Sequence, residues 1–396
     1  MIQISPETQL FIREHSSDDV RALALQAKKY PDINMPTAIT QIAGRQVAAE
    51  KIPSWREIEE IWYPKHLSLE QCSSEITARY KARLFQGDSL TDLTGGFGID
   101  CSFLATGFKS ATYVERQEEL CEIAAHNFPI LNLNHINVRN EDGVAYLQTM
   151  SPVDCIFLDP ARRNEHGGKT VAISDCEPNV AELEALLLSK ANRVMIKLSP
   201  MLDLSLALKE LKHTQEVHIL SVNNECKELL ILLGQTSPAE ITIHCVNLFT
   251  KGTQEEQHLV FTREQEQRSQ CTYTDSLGDY LYEPNASLLK AGAFRSIAAA
   301  YPVRKLHPNS HLYTSDTFIE NFPGRIFRIV NQCSFNKKEV KENLADLKKA
   351  NVTVRNFPTT VAELRKRLHL TEGGDTYLFA STLNNGQKVI IRCEKV

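Results

Sequence analysis

Four acidic residues follow apolar runs in similar settings: Asp92 in SLTDLTGGFGID, Glu115 in ATYVE, Asp142 in HINVRNED and Asp159 in DCIFLDPARR. All four would sit at the carboxyl ends of successive strands, where ligands bind in an open α/β sheet. Gly95, Gly96 and Gly98 follow the first acid. Glycines permit a tight turn and let backbone amides approach a ligand closely. Glu115 lies 23 residues after Asp92, where dinucleotide-type sheets place an acid for both ribose hydroxyls. Asp159 is followed by Pro160, whose ring fixes φ, and then by Arg162 and Arg163, whose planar guanidiniums stack or bind phosphate. The fifth apolar run, ANRVMIKL, exits through Lys197, a second candidate for a phosphate contact.

Acids reach one edge only if the elements between them are crossovers. From Ser89 onward, strand candidates (SLTDL, ATYVE, HINVR, VDCIFLD, ANRVMIKL, QEVHILSV, KELLILLG) alternate with helix candidates (IDCSFLATGF, RQEELCEIAAHNF, DGVAYLQTM, EPNVAELEALLLSK, DLSLALKELKH). That alternation predicts a doubly wound, mostly parallel sheet, whose ligands bind at the carboxyl ends of the strands. Only NNEC separates QEVHILSV from KELLILLG, too short for a crossover helix, so one strand near the sheet's end must run in reverse.

The run from Gln86 to Gly234 resembles the class I S-adenosylmethionine (AdoMet) methyltransferases. The resemblance implies a Rossmann-like sheet with Asp92, Thr94, Gly95, Gly96, Gly98, Asp100, Glu115 and Asp142 holding AdoMet, Glu115 at the ribose and Asp142 at the adenine amine. It implies Asp159, Pro160 and Arg162 at the reaction centre, matching a (D/N)-P-P-x motif in which Ala161 replaces the second proline. Thr94 stands where the usual motif has its first glycine, and D-x-T-x-G-x-G-x-D is similar to the 16S rRNA guanine-N2 methyltransferases. In such enzymes the acid and the following carbonyl accept the two hydrogens of an exocyclic amine, so positioning does most of the catalytic work. Arg163 and Lys197 become candidate substrate contacts.

Residues 1–85 are expected to be helical, with Ser17-Asp18-Asp19 capping VRALALQAKKY, a capping box at Ser54–Glu57, and one helix through LEQCSSEITARYKARLF. The methyltransferase domain spans 86–265, EQEQRSQ marks a boundary, 272–321 is a small α+β (ferredoxin-like) domain, and 322–396 is a basic domain. The layout resembles bacterial methyltransferases with a C-terminal THUMP-like domain, which implies an rRNA or tRNA substrate. Charge agrees: Pro323–Val396 holds 14 Lys+Arg against 7 Asp+Glu, while the chain as a whole carries −5. Arg365, Lys366 and Arg367 form the densest basic cluster, but on a helix they spread over about 200°, so not all three can face one phosphate backbone.

No apolar run approaches the roughly 18 residues of a membrane span, and the N-terminus lacks a signal-peptide pattern. Ten scattered cysteines without a C-x-x-C pair suit a cytoplasmic, reducing setting. Twelve histidines show no ligand spacing along the chain, so no metal is expected. The reading is a fold of α/β class, Rossmann-like, with a helical N-terminal domain and small α+β C-terminal domains, working as an AdoMet-dependent RNA methyltransferase on a purine amine, guanine N2 first. A DNA adenine or protein methyltransferase of the same fold, and an idle RNA-binding module, are the alternatives.

Overall fold

The computed structural model describes residues 4–162, 172–252 and 256–396. The chain forms two compact units, Met1–Gln215 with Leu229–Pro238, and Glu216–Glu228 with Ala239–Val396. Among the described residues, no helix is long and apolar enough to cross a membrane.

The first unit opens with helices Pro6–Glu14, Val20–Leu25, Met35–Lys51, Pro53–Arg56, His66–Gln71 and Glu75–Ala82. Of the candidate caps Ser17, Asp18 and Asp19, it is Asp19 that caps the second helix, accepting from the Arg21 and Ala22 amides at 2.7 and 3.2 Å, and that helix ends at Leu25, short of the expected Tyr30. Two further expectations shift. Pro53 suits the first helical position, so the fourth helix begins before Ser54 and no capping box forms there. The Ser54 amide donates instead to Glu75 Oε2 at 2.8 Å. The single helix expected over residues 69–85 is broken at Cys72–Ser74, where the Ser73 hydroxyl donates to Asp100 at 2.7 Å.

Strands β1 (Gly87–Asp92), β2 (Phe108–Glu115), β3 (Ile136–Asn140), β4 (Val153–Leu158), β5 (Ala161–Arg162), β6 (Cys176–Glu177), β7 (Ala191–Leu198), β8 (Thr214–Val222) and β9 (Glu225–Gly234) follow in chain order. In the first unit the sheet order is β9-β7-β4-β1-β2-β3, with every pair parallel except β9 against β7. The four apolar residues Cys155 to Leu158 are fully buried, as a central parallel strand with helices on both faces requires. Strand reversal occurs at Asn223-Asn224, both with positive φ (50° and 68°), a conformation that asparagine tolerates in two-residue hairpin turns. β5 and β6 pair antiparallel with each other.

In the second unit β10 (Thr242–Leu248) lies parallel to β8 and antiparallel to β11 (Glu256–Thr262). The polar stretch EQEQRSQ, read as a boundary, holds the helix Arg263–Arg268, because Thr262 and Gln265 close a capping box at its start. The remaining strands are β12 (Tyr280–Pro284), β13 (Arg304–Lys305), β14 (Tyr313–Ser315), β15 (Gly324–Ser334), β16 (Asn351–Val354), β17 (Thr376–Thr382) and β18 (Lys388–Lys395). They form one sheet in the order β13-β14-β12-β15-β18-β17-β16. β12 pairs antiparallel with β15, so residues 272–321 and 322–396 share a sheet. They also share a core, in which Leu281, Leu306 and Leu312 pack with Phe327, Phe379 and Ile391.

Candidate active site

Because β1, β2, β3 and β4 run parallel, their exits bring Asp92, Glu115, Asp142 and Asp159 to one edge of the sheet. Asp92 is 1% exposed. Its Oδ1 accepts from the Thr94 amide at 3.0 Å, and its Oδ2 has no hydrogen-bond partner among the described residues. Burial, only partly offset by the Thr94 amide and reinforced by Asp100, Asp159 and Glu115, pushes its carboxyl well above the ordinary range.

The loop after β1 depends on its glycines. A Cβ on Gly95 would meet the Tyr113 ring at 2.2 Å, while Gly96 and Gly98 hold φ of +54° and +87°. A Cβ on Gly96 would meet nothing nearer than the Thr94 carbonyl oxygen at 3.8 Å, so that side of the loop is open. Phe97, between them, packs edge-to-face on Trp55 with ring centroids 5.3 Å apart, which anchors the loop to the helical layer. Glu115 Oε2 accepts from the Gly96 amide at 3.0 Å and Oε1 from the Gln117 amide at 2.8 Å. Each oxygen keeps a lone pair for a further donor. Asp142 Oδ1 caps the helix Gly143–Thr149, accepting from Val144 and Ala145 at 3.0 Å each.

Thr94, which departs from the usual glycine, links two loops: its Oγ1 accepts from the Asp159 amide at 2.6 Å. Lys197 was expected at a phosphate. The structure instead buries it, with Nζ 2.5 Å from Asp159 Oδ2 and 3.4 Å from Asp100 Oδ2, because its strand neighbours β4 and the first helix of the sheet domain supply carboxylates. Asp100 also pairs with Lys81, fully buried, at 2.9 Å, and Lys81 donates to Ser73 at 3.0 Å. Burial alone would raise the Asp100 carboxyl; Lys81 and Lys197 overcome it and hold the group at about 2. In this network of Ser73, Lys81, Asp100, Lys197 and Asp159, the sequence singled out the two aspartates and Lys197, but not their pairing. Its signal is Lys81 on the same helical face as buried Thr77 and Ala78.

Pro160 is buried, and the Arg162 backbone pairs with Cys176. Arg163 lies outside the described residues. In the C-terminal region the helix Val361–Leu368 carries the basic cluster. Arg365 pairs with Glu372 at 3.0 Å, and the Arg367 guanidinium lies 4.2 Å from the Phe335 ring centroid. Lys366 is exposed. Arg325 and Arg355 both pair with buried Glu283.

A family model described as a ferredoxin-like domain matches residues 280–323, and one described as THUMP domain-like matches 324–395. No curated protein matches the chain in sequence. Two solved structures align over part of it. One is a provisionally assigned type I restriction modification subunit from Vibrio vulnificus YJ016, with 11% identity, 51% of this chain and 56% of that one, and TM-score 0.36. The other is an rRNA methylase from Streptococcus thermophilus, with 13% identity, 40% of this chain and 93% of that one, and TM-score 0.30. A third solved structure, a provisionally assigned methyltransferase from Porphyromonas gingivalis W83, aligns over 100% of both chains at 34% identity and TM-score 0.87.

Proposed function

This chain belongs to the family of the Porphyromonas gingivalis methyltransferase, and on that premise we propose that it methylates RNA with AdoMet, the acceptor being a purine exocyclic amine and guanine N2 the favoured atom. The observation that carries the cofactor assignment is Asp92. A buried carboxylate oxygen without a partner fits a cationic amino group such as that of the methionyl part of AdoMet. The open side of Gly96 fits close approach of the same group, Glu115 retains lone pairs for two ribose hydroxyls, and Asp142 stands at the next strand end for the adenine amine.

AdoMet supplies a methyl group on a sulfonium sulfur, which an amine lone pair displaces in line. The protein's part is to aim that lone pair. Asp159 is the residue for this. Its carboxylate is held by Lys197 at 2.5 Å, its amide is tied to Thr94, and its side chain remains 36% exposed. It accepts one amine hydrogen, the carbonyl after it accepts the other, and the amine proton leaves to water after transfer. Arg162 and Arg163 are placed by the sequence to stack on the base or hold phosphate. The RNA assignment rests on the 14 basic residues of Pro323–Val396 and on the THUMP-like match to that region.

Calorimetry with AdoMet tests the cofactor, and nucleoside mass spectrometry of total RNA from a deletion strain tests the acceptor. We expect micromolar AdoMet binding, about −8 kcal/mol, and loss of one methylated purine nucleoside. Absence of AdoMet binding refutes the first assignment, and an unchanged RNA nucleoside profile refutes the second.

A further inference from the structure

Histidines far apart along the chain are gathered by strand register in the second unit. Glu216 and His218 are two residues apart on β8, so they share a face. His244 on β10 stands directly opposite His218. The two rings stack with centroids 4.2 Å apart at 8°, and both Nε2 atoms approach one carboxylate oxygen: His218 at 3.2 Å and His244 at 3.8 Å from Glu216 Oε2. One donor atom from each of the three residues lies within 4.8 Å of the others. His258 on β11 completes the cluster, with its Nε2 3.2 Å from His244 Nδ1.

We propose that Glu216, His218 and His244 form a binding site for a divalent cation of the zinc class, with His258 as the outer partner that orients His244. Two imidazoles and a carboxylate are the donor set of an open zinc site, three protein ligands plus a position for water. Metal–ligand bonds of about 2.0–2.1 Å at tetrahedral angles need donor atoms roughly 3.3–3.5 Å apart; the observed 3.2 and 3.8 Å from Glu216 Oε2 bracket that spacing, and the two stacked rings turn out of parallel when both lone pairs meet one ion.

The proton inventory points the same way. One hydrogen sits between His244 Nδ1 and His258 Nε2. When His244 provides it, its Nε2 presents a bare lone pair toward the Glu216 carboxylate, an arrangement that a cation between them satisfies. A ligating histidine normally donates its other ring N–H to an outer partner in this way. His218 is only 2% exposed, which excludes water competition on that side, while His244 is 20% exposed at the side chain, leaving an entry path. The site uses none of the residues assigned to methyl transfer, so the two readings stand or fall separately.

The test is calorimetry of full-length, EDTA-treated protein with Zn²⁺, repeated with Co²⁺ while the visible spectrum is recorded. The expected result is one equivalent bound and the absorption of four-coordinate cobalt, without the near-ultraviolet band that thiolate ligands produce. His244→Ala should weaken binding at least about 100-fold. His258→Gln, at an exposed position that leaves the core intact, should weaken it about 10- to 100-fold, as expected for an outer partner. Thermal unfolding followed by circular dichroism in parallel reports whether each variant is folded. The proposal is overturned if the wild type shows no saturable site, if both variants bind as tightly as wild type, or if cobalt shows thiolate charge transfer.

Discussion

Replacing Lys81 by methionine removes one cation from a buried ion pair of the first unit while keeping the length of the side chain. Lys81 is fully buried and Asp100 9% exposed, and the pair is 2.9 Å apart. Asp100 is held at about 2 from an ordinary 3.8, close to two units. Losing one partner of a buried pair typically costs about 3–5 kcal/mol, because the other charge is stranded. For a unit of this size, Lys81→Met should therefore lower the melting temperature by roughly 6–20 °C. The sign with pH follows from the depressed carboxyl. Asp100's contribution is complete above its unfolded value near 3.9 and disappears as pH falls through about 2, so the gap between wild type and variant should begin to narrow below about pH 4 and close near pH 2. The assay is thermal unfolding by circular dichroism at pH 7 and at pH 3. Adding Asp100→Asn to Lys81→Met should recover part of the loss, since no carboxylate remains stranded. A loss under about 1 kcal/mol at pH 7, or simple additivity in the double variant, would refute the reasoning.

Asp159→Ala should lower kcat by about 10³-fold or more with AdoMet affinity unchanged within about tenfold, the pattern of an interaction used mainly in the transition state; single-turnover kinetics with calorimetry separates the two. Glu115→Ala should weaken AdoMet by about 1.5–3 kcal/mol, read by calorimetry, since two backbone amides and two hydroxyls lose their acceptor. Lys366→Ala should lower the slope of log RNA affinity against log salt by about 0.7 for a single-stranded contact, whereas Arg365→Ala, already paired with Glu372, should change it less. Deleting residues 323–396 should unfold the neighbouring segment as well, visible as lost strand signal, because β15 is the pairing partner of β12.

Much of this was legible in the sequence because burial and period leave strong marks. The uninterrupted apolar run at Cys155–Leu158 read as an inner strand, and the short link NNEC announced the reversal. Lys197 misled because a lysine at a strand end normally reaches solvent; its partner Asp100 lies 97 residues away, and only the assembled sheet reveals the pair. Lys81 left a weak trace, a charge on a buried helix face. The histidine cluster left none, since its ligands sit on two strands and only the alignment of His218 with His244 joins them. Arg365 and Arg367 read as free cations, yet Glu372 and the Phe335 ring engage both.

The central claim is methyl transfer from AdoMet to an RNA purine amine. Its most direct test is incubation of the full-length protein with methyl-deuterated AdoMet and total RNA from cells lacking the protein, followed by nucleoside mass spectrometry. The account predicts that the label enters one purine nucleoside at an exocyclic amine, foremost N2-methylguanosine, and that Asp159→Ala abolishes it. Label that reaches only DNA or protein, or an RNA signal that survives Asp159→Ala unchanged, contradicts it.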